Sequence, residues 1–410
     1  MEKLRVGVVG LQRGKNLIYP TVAKIKGVEA QDNVVVTAIC DLLPERVEAQ
    51  KQRMKDMGCP EPLCTDNFDD LLKKENCDVV IIATSWENHI PLAIKAMRAG
   101  MPVGMEVGGA FSVNDCFELV RAYEETKTPF MFLENCCFDK RELMITKMVR
   151  EGLFGEVTYC HGAYSHDLRQ IVCGGGGIIT PNYRTRQYKN RNCENYPTHQ
   201  LGPICKVLNI NRGNRLLSLT STASKARGLN EWAKTDERFS HLIHYPFAQG
   251  DVVNTAIKCA DGTLITLKLN TTLPTPYCRE FTVQGTKGSY LEWNDSVIID
   301  GDGYDENNYT GKNWGNAKNY EKYLPDMWKD VTPEVLDLGH GGMDFFMLRE
   351  FYNNLRLGKE MPCDVYDAAT WMVISVLSEQ SIAMGGAPVP IPDFTHGEWV
   401  KREPKDVIDL

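Results

Sequence analysis

The segment RVGVVGLQRG, residues 5–14, decides the fold of this chain. It is an apolar run that enters a glycine-containing turn, and a helix-compatible stretch follows the turn. The β-branched run Val34–Ile39 comes next and leads to Asp41. A strand, a turn, a helix and a second strand in this order predict a βαβ unit, which is typical of a doubly wound parallel sheet.

The turn keeps two features of a dinucleotide-binding fingerprint. Gly10 suits a tight turn and Gly14 lets the helix pack closely, but Gln12 stands where a glycine would let the backbone approach a pyrophosphate. Asp41 strengthens this interpretation, because a carboxylate at the tip of the second strand can bind both adenosine ribose hydroxyls and would repel a 2′-phosphate. Asp41 could instead be a turn or cap residue before a helix that begins near Pro44. The pattern favours NAD over NADP, with these candidate contacts: Gly10, Leu11, Gln12, Arg13, Gly14 and Asp41.

Two further strands follow in the same alternating order. The run Cys77–Thr84 has the pattern of a buried strand, and a short polar loop and a helix follow it. The run Pro102–Glu106 is predicted as the next strand. Ligands of open α/β sheets lie at the carboxyl ends of the strands. We therefore predict five more cofactor contacts at these ends: Thr84, Trp86, Asn88, His89 and Glu106.

The spacing of these segments resembles the superfamily of glucose-fructose oxidoreductase, inositol dehydrogenase and the rhizopine-catabolism proteins. The resemblance implies NAD as the cofactor. In most dehydrogenases of that group the last of these strands ends in Glu-Lys-Pro, and the lysine works near the substrate hydroxyl. This chain has Glu106, Val107 and Gly108 there. The lysine that helps to deprotonate an alcohol is missing, which disfavours a plain sugar dehydrogenase.

Motifs in the middle and at the end of the chain carry a closer resemblance. They are LENCC at 133–137, GAYSHDLR at 162–169, YPTHQLGP at 196–203, HGGMD at 340–344, DVYDAATW at 364–371 and PDFTHGEW at 392–399. Together they resemble glycoside hydrolase family 109, the NAD-dependent N-acetylgalactosaminidase family. The chain departs from that family at Gln200 and in the loop 170–192, whose glycines at 174–177 predict a flexible loop. Asp344, at a predicted helix start, is interpreted as a cap.

The resemblance implies a reaction unlike that of most glycosidases, which need two carboxylates around the scissile bond. NAD⁺ takes a hydride from C3 of the sugar, and the new ketone acidifies the proton at C2. A modest base removes that proton, the enolate expels the group at C1, water adds, and the hydride returns. The protein positions the sugar and handles the protons.

The resemblance also assigns roles residue by residue. Tyr164 is the acid and base at C2, His199 and Tyr196 bind and polarise the sugar around O3, and Glu134 helps to hold the substrate or the cofactor. Tyr277, on a loop before a predicted strand, lines the sugar pocket. Without the resemblance, Tyr164 could be a strand tyrosine with its hydroxyl bonded internally, and Glu134 could cap the helix that follows it.

Two neighbours of Tyr164 in its own motif are further candidates. A tyrosine has an unperturbed pKa of about 10, so a tyrosine base needs a nearby positive charge or hydrogen-bond donor. His166 and Arg169 could supply it, and both are candidate substrate contacts.

Composition limits the partners and the location. The formal net charge is −8 and the sequence contains no strong basic patch, which argues against nucleic acid or an anionic membrane as a partner. The sequence shows no signal peptide or spanning segment, so we expect a cytoplasmic protein. The 14 cysteines are scattered without a C-x-x-C pair, so we predict reduced thiols and no metal site.

The domain boundary is predicted near Glu134. It gives an NAD-binding Rossmann domain at 1–133 and a substrate-binding α/β domain at 134–410. Four candidate strands predict a mostly antiparallel sheet in the second domain: 216–222, 252–260, 263–271 and 280–285. The resemblance implies that one face of this sheet is open and pairs across a homo-oligomer interface. Two helical stretches within 341–384 are expected to pack back between the domains.

Three functions remain open from the sequence alone. The favoured one is an NAD-dependent glycoside hydrolase acting on hexosaminides or related glycosides, because the tyrosine and histidine motifs are present and the dehydrogenase lysine is absent. An NAD-dependent sugar or cyclitol dehydrogenase would release NADH and turn over only with added NAD⁺. A non-enzymatic NAD- or sugar-binding protein is the third function, since Gln12 could mark lost catalysis.

Overall fold

The computed structural model describes residues 3–23, 33–174, 182–302, 311 and 313–410. The glycines at 175–177 of the predicted flexible loop lie outside these residues. Two sheets, one parallel and one mostly antiparallel, organise the described chain, and helices pack against both.

The first sheet is formed by the first third of the chain. Its strands are β1 (Leu4–Val9), β2 (Val34–Cys40), β3 (Leu63–Thr65), β4 (Val79–Ile82), β5 (Val103–Glu106) and β6 (Phe130–Leu133). All are parallel, in the spatial order β3-β2-β1-β4-β5-β6. Every residue of β4, β5 and β6 is buried, as is typical of a parallel sheet covered on both faces. The strand order reverses between β1 and β4, so a crevice opens beyond their carboxyl ends.

Two glycines fix the turn between β1 and the helix α1 (Leu11–Val22). Gly10 has φ 88°, and a Cβ there would lie 2.4 Å from the carbonyl oxygen of Ala83, which follows β4. A Cβ on Gly14 would lie 2.8 Å from Cγ1 of Val8. The first glycine therefore permits the tight turn and the second lets α1 pack on the sheet, as their spacing predicts.

The second sheet belongs to the remainder of the chain. Its strands are β7 (Val157–Ser165), β8 (Leu216–Ala223), β9 (Val252–Cys259), β10 (Leu264–Asn270), β11 (Thr282–Gly285), β12 (Gly288–Leu291), β13 (Ser296–Ile299) and β14 (Val389–Pro390). The spatial order is β13-β12-β11-β7-β10-β9-β8-β14, and among the described strands of this second sheet only β7 and β10 pair in parallel. Along β10, Ile265, Leu267 and Leu269 are buried and alternate with half-buried polar residues, so one face packs on the core. The predicted α/β fold with a doubly wound sheet and a mostly antiparallel sheet is confirmed.

Helices cover the first sheet and connect the strands of the second. After α1 come α2 (Pro44–Asp56), α3 (Trp86–Arg98), α4 (Val113–Thr126), α5 (Lys140–Arg150), α6 (Arg169–Val172), α7 (Tyr183–Asn190), α8 (Thr198–Val207), α9 (Gly228–Ala233), α10 (Pro333–Leu336), α11 (Met343–Leu357) and α12 (Val365–Ala383). Short 3₁₀ helices include Asn135–Phe138 and His340–Gly342. None of the described helices is long and apolar enough to cross a bilayer.

The last two helices connect the sheets. Helix α11 packs on α1, and α12 contacts α4 and β6 on one side and β8 on the other. Asp364 starts α12 with a capping box, because its side chain accepts from the backbone of Tyr366 and Asp367. The described residues include all 14 cysteines, and no disulfide joins any of them.

Candidate active site

A cavity of about 630 Å³ lies at the carboxyl ends of β1, β2 and β4. Of the residues predicted to contact the cofactor, six line it: Gly10, Gln12, Arg13, Asp41, Thr84 and Asn88. Arg184 and Arg186 of α7 line it from the other side. The crevice, which the sheet topology predicts, is therefore bounded by the glycine turn and by cationic side chains of α7, which follows the first sheet in the sequence. The remaining predicted contacts do not line it: Leu11, Gly14, Trp86, His89 and Glu106.

Asp41 lies at the tip of β2, the position from which a carboxylate binds a ribose in this type of sheet. Its Oδ2 accepts a hydrogen bond from the backbone of Leu11 at 2.8 Å, and its Oδ1 accepts one from Leu43 at 3.0 Å. The guanidinium of Arg46 is 3.6 Å from Oδ2. A carboxylate oxygen has two lone-pair positions, so each oxygen retains one for a ribose hydroxyl. A glycine turn without room for a Cβ and a carboxylate at the tip of β2 together fit a dinucleotide.

Arg13 lines the cavity and is also held by two carboxylates that do not line it. Its Nε donates to Oε1 of Glu106 at 2.9 Å, and its Nη1 and Nη2 donate to the two oxygens of Asp344 at 2.9 and 3.0 Å. Glu106 therefore holds Arg13 rather than lining the cavity. The interpretation of Asp344 as a cap is wrong: α11 has Gly342 at its N-cap and no side-chain cap bond, and Asp344 is fully buried against Arg13.

His89 supports the loop after β4 from inside the protein. It is 3% exposed, and its Nε2 is 2.9 Å from the carbonyl oxygen of Thr84, which lines the cavity. Burial lowers the pKa of His89 to about 4, although the hydrogen bond to Thr84 acts in the opposite direction. His89 is therefore a neutral ring that positions Thr84, and the structure does not bring it to the cavity wall.

Trp86 separates the cavity from a second group of aromatic rings. Its ring stacks on Tyr196 with centroids 5.2 Å apart and an interplanar angle of 20°. A Cβ on Gly108 would lie 2.7 Å from Cδ1 of Trp86, so only glycine at 108 leaves room for this ring. Val107, at the position of the dehydrogenase lysine, is 3% exposed. The space beside β5 is thus filled by packing and offers no amine to a substrate.

Five predicted site residues form the second group, which we call the ring cluster: Tyr164, His166, Tyr196, His199 and Tyr277. Their ring centroids lie between 4.8 and 6.2 Å from one another in six pairs. They come from the end of β7 and the loop after it, from the segment that starts α8, and from the loop before β11. The structure therefore brings together motifs that are more than 100 residues apart in the sequence.

Glu134 and His199 form a hydrogen-bonded pair at the edge of the ring cluster. His199 Nδ1 lies 2.7 Å from Oε1 of Glu134, a carboxylate that is fully buried and also accepts from the backbone of Cys136 at 3.1 Å. Burial alone would raise the pKa of Glu134, but His199 holds it below its usual value. Glu134 is therefore ionised and can only accept, so the Nδ1 of His199 that faces it carries a proton, and Nε2 is the ring nitrogen left for another partner.

Tyr164 and His166 form the second bonded pair. The Tyr164 hydroxyl is 3.1 Å from Nδ1 of His166. Burial raises the pKa of Tyr164 above its usual value, against the opposing effect of Arg184. Burial also lowers the pKa of His166, and Arg184 and His199 act in the same direction. In the resting site, a neutral phenol thus donates to a neutral imidazole.

The cation beside Tyr164 is Arg184, which sequence reasoning missed. Arg169 was expected as a candidate, but it turns away and pairs with Asp167 at 2.6 and 2.8 Å. The guanidinium of Arg184 lies over the rings of Trp86 and Tyr196, at 4.6 and 5.0 Å from their centroids. Its Nη1 is buried and has no hydrogen-bond partner among the described residues. Arg184 therefore offers donors at the junction of the cavity and the ring cluster.

One set of potential metal ligands occurs beside the ring cluster. Glu134, Cys136 and His199 each offer a ligand atom within 4.8 Å of the others. Nη1 of Arg279 lies 3.6 Å from the sulfur of Cys136, so a positive charge already stands at this position. Burial raises the pKa of the Cys136 thiol well above its usual value, against the opposing effect of Arg279. The absence of a metal stays a prediction.

Comparison with known families divides the chain in the same order as its two sheets. Residues 4–133 match the oxidoreductase family with an NAD-binding Rossmann fold, and residues 138–401 match the C-terminal domain of glycosyl hydrolase 109. The second match covers well over half of the chain.

Whole-length relatives agree with these matches. An α-N-acetylgalactosaminidase of Tannerella forsythia is 38% identical over 91% of this chain and 83% of its own length. A glycosyl hydrolase family 109 protein of Stenotrophomonas maltophilia is 36% identical over 98% of this chain and 91% of its own length.

Solved structures show the fold. Levoglucosan dehydrogenase in complex with NADH and levoglucosan superimposes with a TM-score of 0.70 at 17% identity, covering 95% of this chain and 100% of that one. A myo-inositol 2-dehydrogenase from Lactobacillus plantarum gives 0.65 at 16% identity, with 95% and 100% covered. Dehydrogenases thus share the architecture, while the matches at higher identity are glycosyl hydrolases. The chain belongs to glycosyl hydrolase family 109 and is an NAD-dependent glycosidase.

Proposed function

We propose that this protein hydrolyses α-N-acetylgalactosaminides by transient oxidation at C3 and elimination across C1 and C2. The names of two whole-length relatives, at 38% and 35% identity, support the substrate. The observation that carries the mechanism is that two imidazoles, those of His166 and His199, both lie against the ring of Tyr164, with centroids 5.6 and 5.5 Å from it.

NAD⁺ is held by the glycine turn, Asp41 and the other residues that line the cavity. When bound, it accepts a hydride from C3 and later returns it. His199 serves this step, because its free Nε2 can take the proton of the O3 hydroxyl as the C3–H bond breaks. Ionised Glu134 at 2.7 Å then stabilises the imidazolium that forms.

Tyr164 and His166 serve the next step. The ketone at C3 makes the C2 proton acidic, and the oxygen of Tyr164 takes that proton while its own proton passes to Nδ1 of His166 at 3.1 Å. The electron pair left at C2 forms the enolate, and the bond from C1 to the aglycone oxygen breaks with its electrons leaving on that oxygen. Arg184 favours negative charge on Tyr164 during the transfer. Water then adds at C1, with its hydroxyl bonding to C1 and its proton passing to the aglycone oxygen. The proton on Tyr164 exchanges with solvent before C2 regains one from it, and Tyr164 recovers its own proton from His166.

Tyr196 and Tyr277 complete the sugar site. Tyr196 is held between Trp86 and His199, so its position is fixed relative to the O3 base. Tyr277 is 48% exposed and lies against His166, at the open side of the ring cluster. We assign Tyr196 to the hydroxyl at O3 and Tyr277 to the outer face of the sugar. Arg169, paired with Asp167, is not included among the contacts.

The test uses purified protein with bound NAD⁺ and an aryl α-N-acetylgalactosaminide in deuterated water. Aglycone release, absorbance of reduced cofactor and deuterium at C2 of the released sugar are followed together. We expect release with C2 deuteration and no net NADH. Aglycone release with hydrogen retained at C2 would exclude the elimination.

A dehydrogenase is the competing function, and the same experiment separates the two. Steady NADH production from a free sugar or cyclitol, with no glycoside cleaved, would establish it. The burial of Val107 at the lysine position and the stacking of Trp86 above Gly108 support the glycosidase instead.

We also infer a functional division of the chain into a cofactor domain, 1–133, and a substrate domain, 134–410, in a cytoplasmic homo-oligomer. The family resemblance supports the oligomer, and the candidate interface is the face of β7 and β10 that carries His161, Thr266 and Lys268, with Glu280 beside them. Light scattering after size exclusion measures the oligomeric state. A mass equal to the 46.2 kDa chain at all protein concentrations would contradict it.

A further inference from the structure

Asp344 is a buried carboxylate that neither the ring cluster nor the cavity lining explains. It lies in the first turn of α11 and accepts four hydrogen bonds, two of them from Arg13. The other two come from Nδ2 of Asn135 at 2.8 Å and from Nδ1 of His340 at 2.9 Å. The positions of these three partners therefore indicate what this carboxylate does.

Two of the partners belong to the two halves of the proposed site. Arg13 lies in the turn that lines the nucleotide cavity, three residues after Gly10. Asn135 is 2% exposed and directly follows Glu134, whose carboxylate holds His199. One carboxylate thus joins the residue that meets the cofactor to the loop that positions the O3 base.

The contact between Asp344 and Arg13 is an ion pair. Burial would raise the pKa of Asp344, but Arg13 and the hydrogen bond from His340 hold it below its usual value, so Asp344 is ionised. Arg13 uses Nε, Nη1 and Nη2 for Glu106 and Asp344. A guanidinium has five N–H groups, so two remain for a ligand in the cavity. A ligand that binds them acts on a side chain whose other face is fixed to Asp344.

The backbone before α11 is unusual in a way that serves Asp344. Residues 339–342 all have positive φ, and His340 among them, at 45°, is not a glycine. A Cβ on Gly339 would lie 2.6 Å from Oδ2 of Asp344, so the loop wraps closely around the carboxylate. Such backbone conformations are costly and persist where the surrounding structure requires them. The motif HGGMD at 340–344 is explained by the placement of this one side chain.

We propose that Asp344 is a positioning residue that transmits occupancy of the nucleotide cavity from Arg13 to Asn135, and so restrains the loop that holds the Glu134–His199 pair more firmly when the dinucleotide is bound. This inference rests on the proposed function of Glu134 and His199. In the absence of NAD⁺, Arg13 is held by its acidic partners alone and the loop at Asn135 is less restrained. In its presence, the Arg13–Asp344–Asn135 series is fixed at both ends.

The test is hydrogen exchange of the peptide that contains residues 134–138, measured with and without saturating NAD⁺ and without any sugar. In the wild-type protein, we expect NAD⁺ to slow exchange of these backbone amides. In Asp344→Asn, NAD⁺ binds about tenfold more weakly, because a bidentate charge-assisted pair is lost. At saturation, its slowing of exchange at 134–138 is absent.

A second variant, Asn135→Leu, distinguishes loss of the Asp344–Asn135 hydrogen bond from loss of NAD⁺ affinity. Asn135→Leu leaves the Arg13–Asp344 pair in place, so NAD⁺ affinity stays within a factor of about two, since no group in the cavity changes. We expect it to lose the NAD⁺-dependent slowing and to lower kcat with little change in the KM for the glycoside. This variant also keeps the test available if Asp344→Asn fails to fold.

Asp364→Asn is the matched control, because Asp364 is also a buried carboxylate at a helix start and is paired with Arg212. It reduces stability but retains the NAD⁺-dependent slowing. Retention of that slowing in both Asp344→Asn and Asn135→Leu would overturn the proposal. The wild-type protein could show NAD⁺-dependent slowing of exchange at 134–138 and yet cleave no glycoside. In that case the proposed function would be wrong, but the connection from Arg13 through Asp344 to Asn135 would still hold.

Discussion

His199 donates its Nδ1 proton to Oε1 of Glu134 over 2.7 Å, and this bond leaves Nε2 as the ring nitrogen that points away from Glu134. Glu134 follows β6 of the parallel sheet, whereas His199 lies in the first turn of α8. A Cβ on Gly202, one turn further along α8, would lie 2.9 Å from Cγ of Glu134, so a glycine is required for this approach.

Glu134→Gln tests this pair. Glutamine can still accept from His199 but cannot stabilise its positive charge, so we expect kcat for aglycone release to fall by about 10²-fold or more. NAD⁺ affinity stays unchanged in a fluorescence titration. The matched control is Glu194→Gln, at a nearby buried carboxyl outside the ring cluster, and it retains activity. Equal losses in both variants would contradict the assignment.

Tyr164→Phe separates the two chemical steps. The variant lacks the oxygen that exchanges protons at C2, so aglycone release and C2 deuteration fall by about 10²- to 10⁴-fold. Oxidation at C3 needs only the His199 pair and continues, so enzyme-bound NADH accumulates and is seen at 340 nm in a stopped-flow experiment. Loss of that absorbance together with the deuteration would place Tyr164 in the first step instead.

Asp41→Asn tests cofactor choice. The variant removes the negative charge at the tip of β2 and leaves Arg46 without its partner at 3.6 Å. We expect the ratio of the Kd for NADP⁺ to that for NAD⁺ to fall by about tenfold or more, because a 2′-phosphate is no longer repelled. Asp56→Asn, at the far end of α2, leaves the ratio as in the wild type.

Gly10→Ala tests the glycine turn, and Gly58→Ala is its control. Both Gly10 and Gly58 have positive φ, but a Cβ meets the Ala83 carbonyl at 2.4 Å in the first case and nothing within 4 Å in the second. Gly58→Ala therefore costs about 1 kcal/mol of unfolding free energy and keeps NAD⁺ binding. Gly10→Ala costs more and abolishes binding, as measured by thermal unfolding with and without NAD⁺.

Glu194→Gln tests a buried carboxyl through the pH dependence of stability. Glu194 is fully buried, and burial raises its pKa from 4.5 to about 8. Below pH 4.5 the group is protonated in the folded and unfolded states alike, and between pH 4.5 and 8 ionisation favours the unfolded state. The wild type therefore loses stability across this window, by roughly 3 kcal/mol at pH 7 relative to the variant. A difference in Tm that is constant from pH 5 to 8 would contradict the shift.

Much of the fold could be predicted because strands, helices and tight turns depend on residues that are close to one another in the sequence. The strand Phe130–Leu133 and the helices within 341–384 follow from apolar periodicity, and Gly10 and Gly14 from the packing of one turn. The parallel pairing of β7 with β10 was not predicted, since a strand's periodicity shows which face is buried but not which neighbour it has.

The site residues that sequence reasoning missed or misread depend on distant partners. Arg184 lies in a polar helix with no motif of its own, and its position over Trp86 and Tyr196 exists only in the folded chain. Asp344 has the local signature of a cap, but its partners Arg13 and Asn135 are 331 and 209 residues away. The only available signal was the unexplained HGGMD motif. Arg169 pairs with Asp167, two residues away, so its role as a substrate contact stays a prediction.

The pairing of Arg13 with Asp344 also has a consequence for synthesis on the ribosome. The parallel sheet, its glycine turn and Glu106 are complete once residue 133 has emerged, but Asp344, the second carboxylate that pairs with Arg13, is made more than 200 residues later. A nascent chain can therefore fold its first sheet early. The pairing of Arg13 with Asp344 can form only after α11 has been made, so the final arrangement of this side chain in the cavity depends on nearly the whole chain.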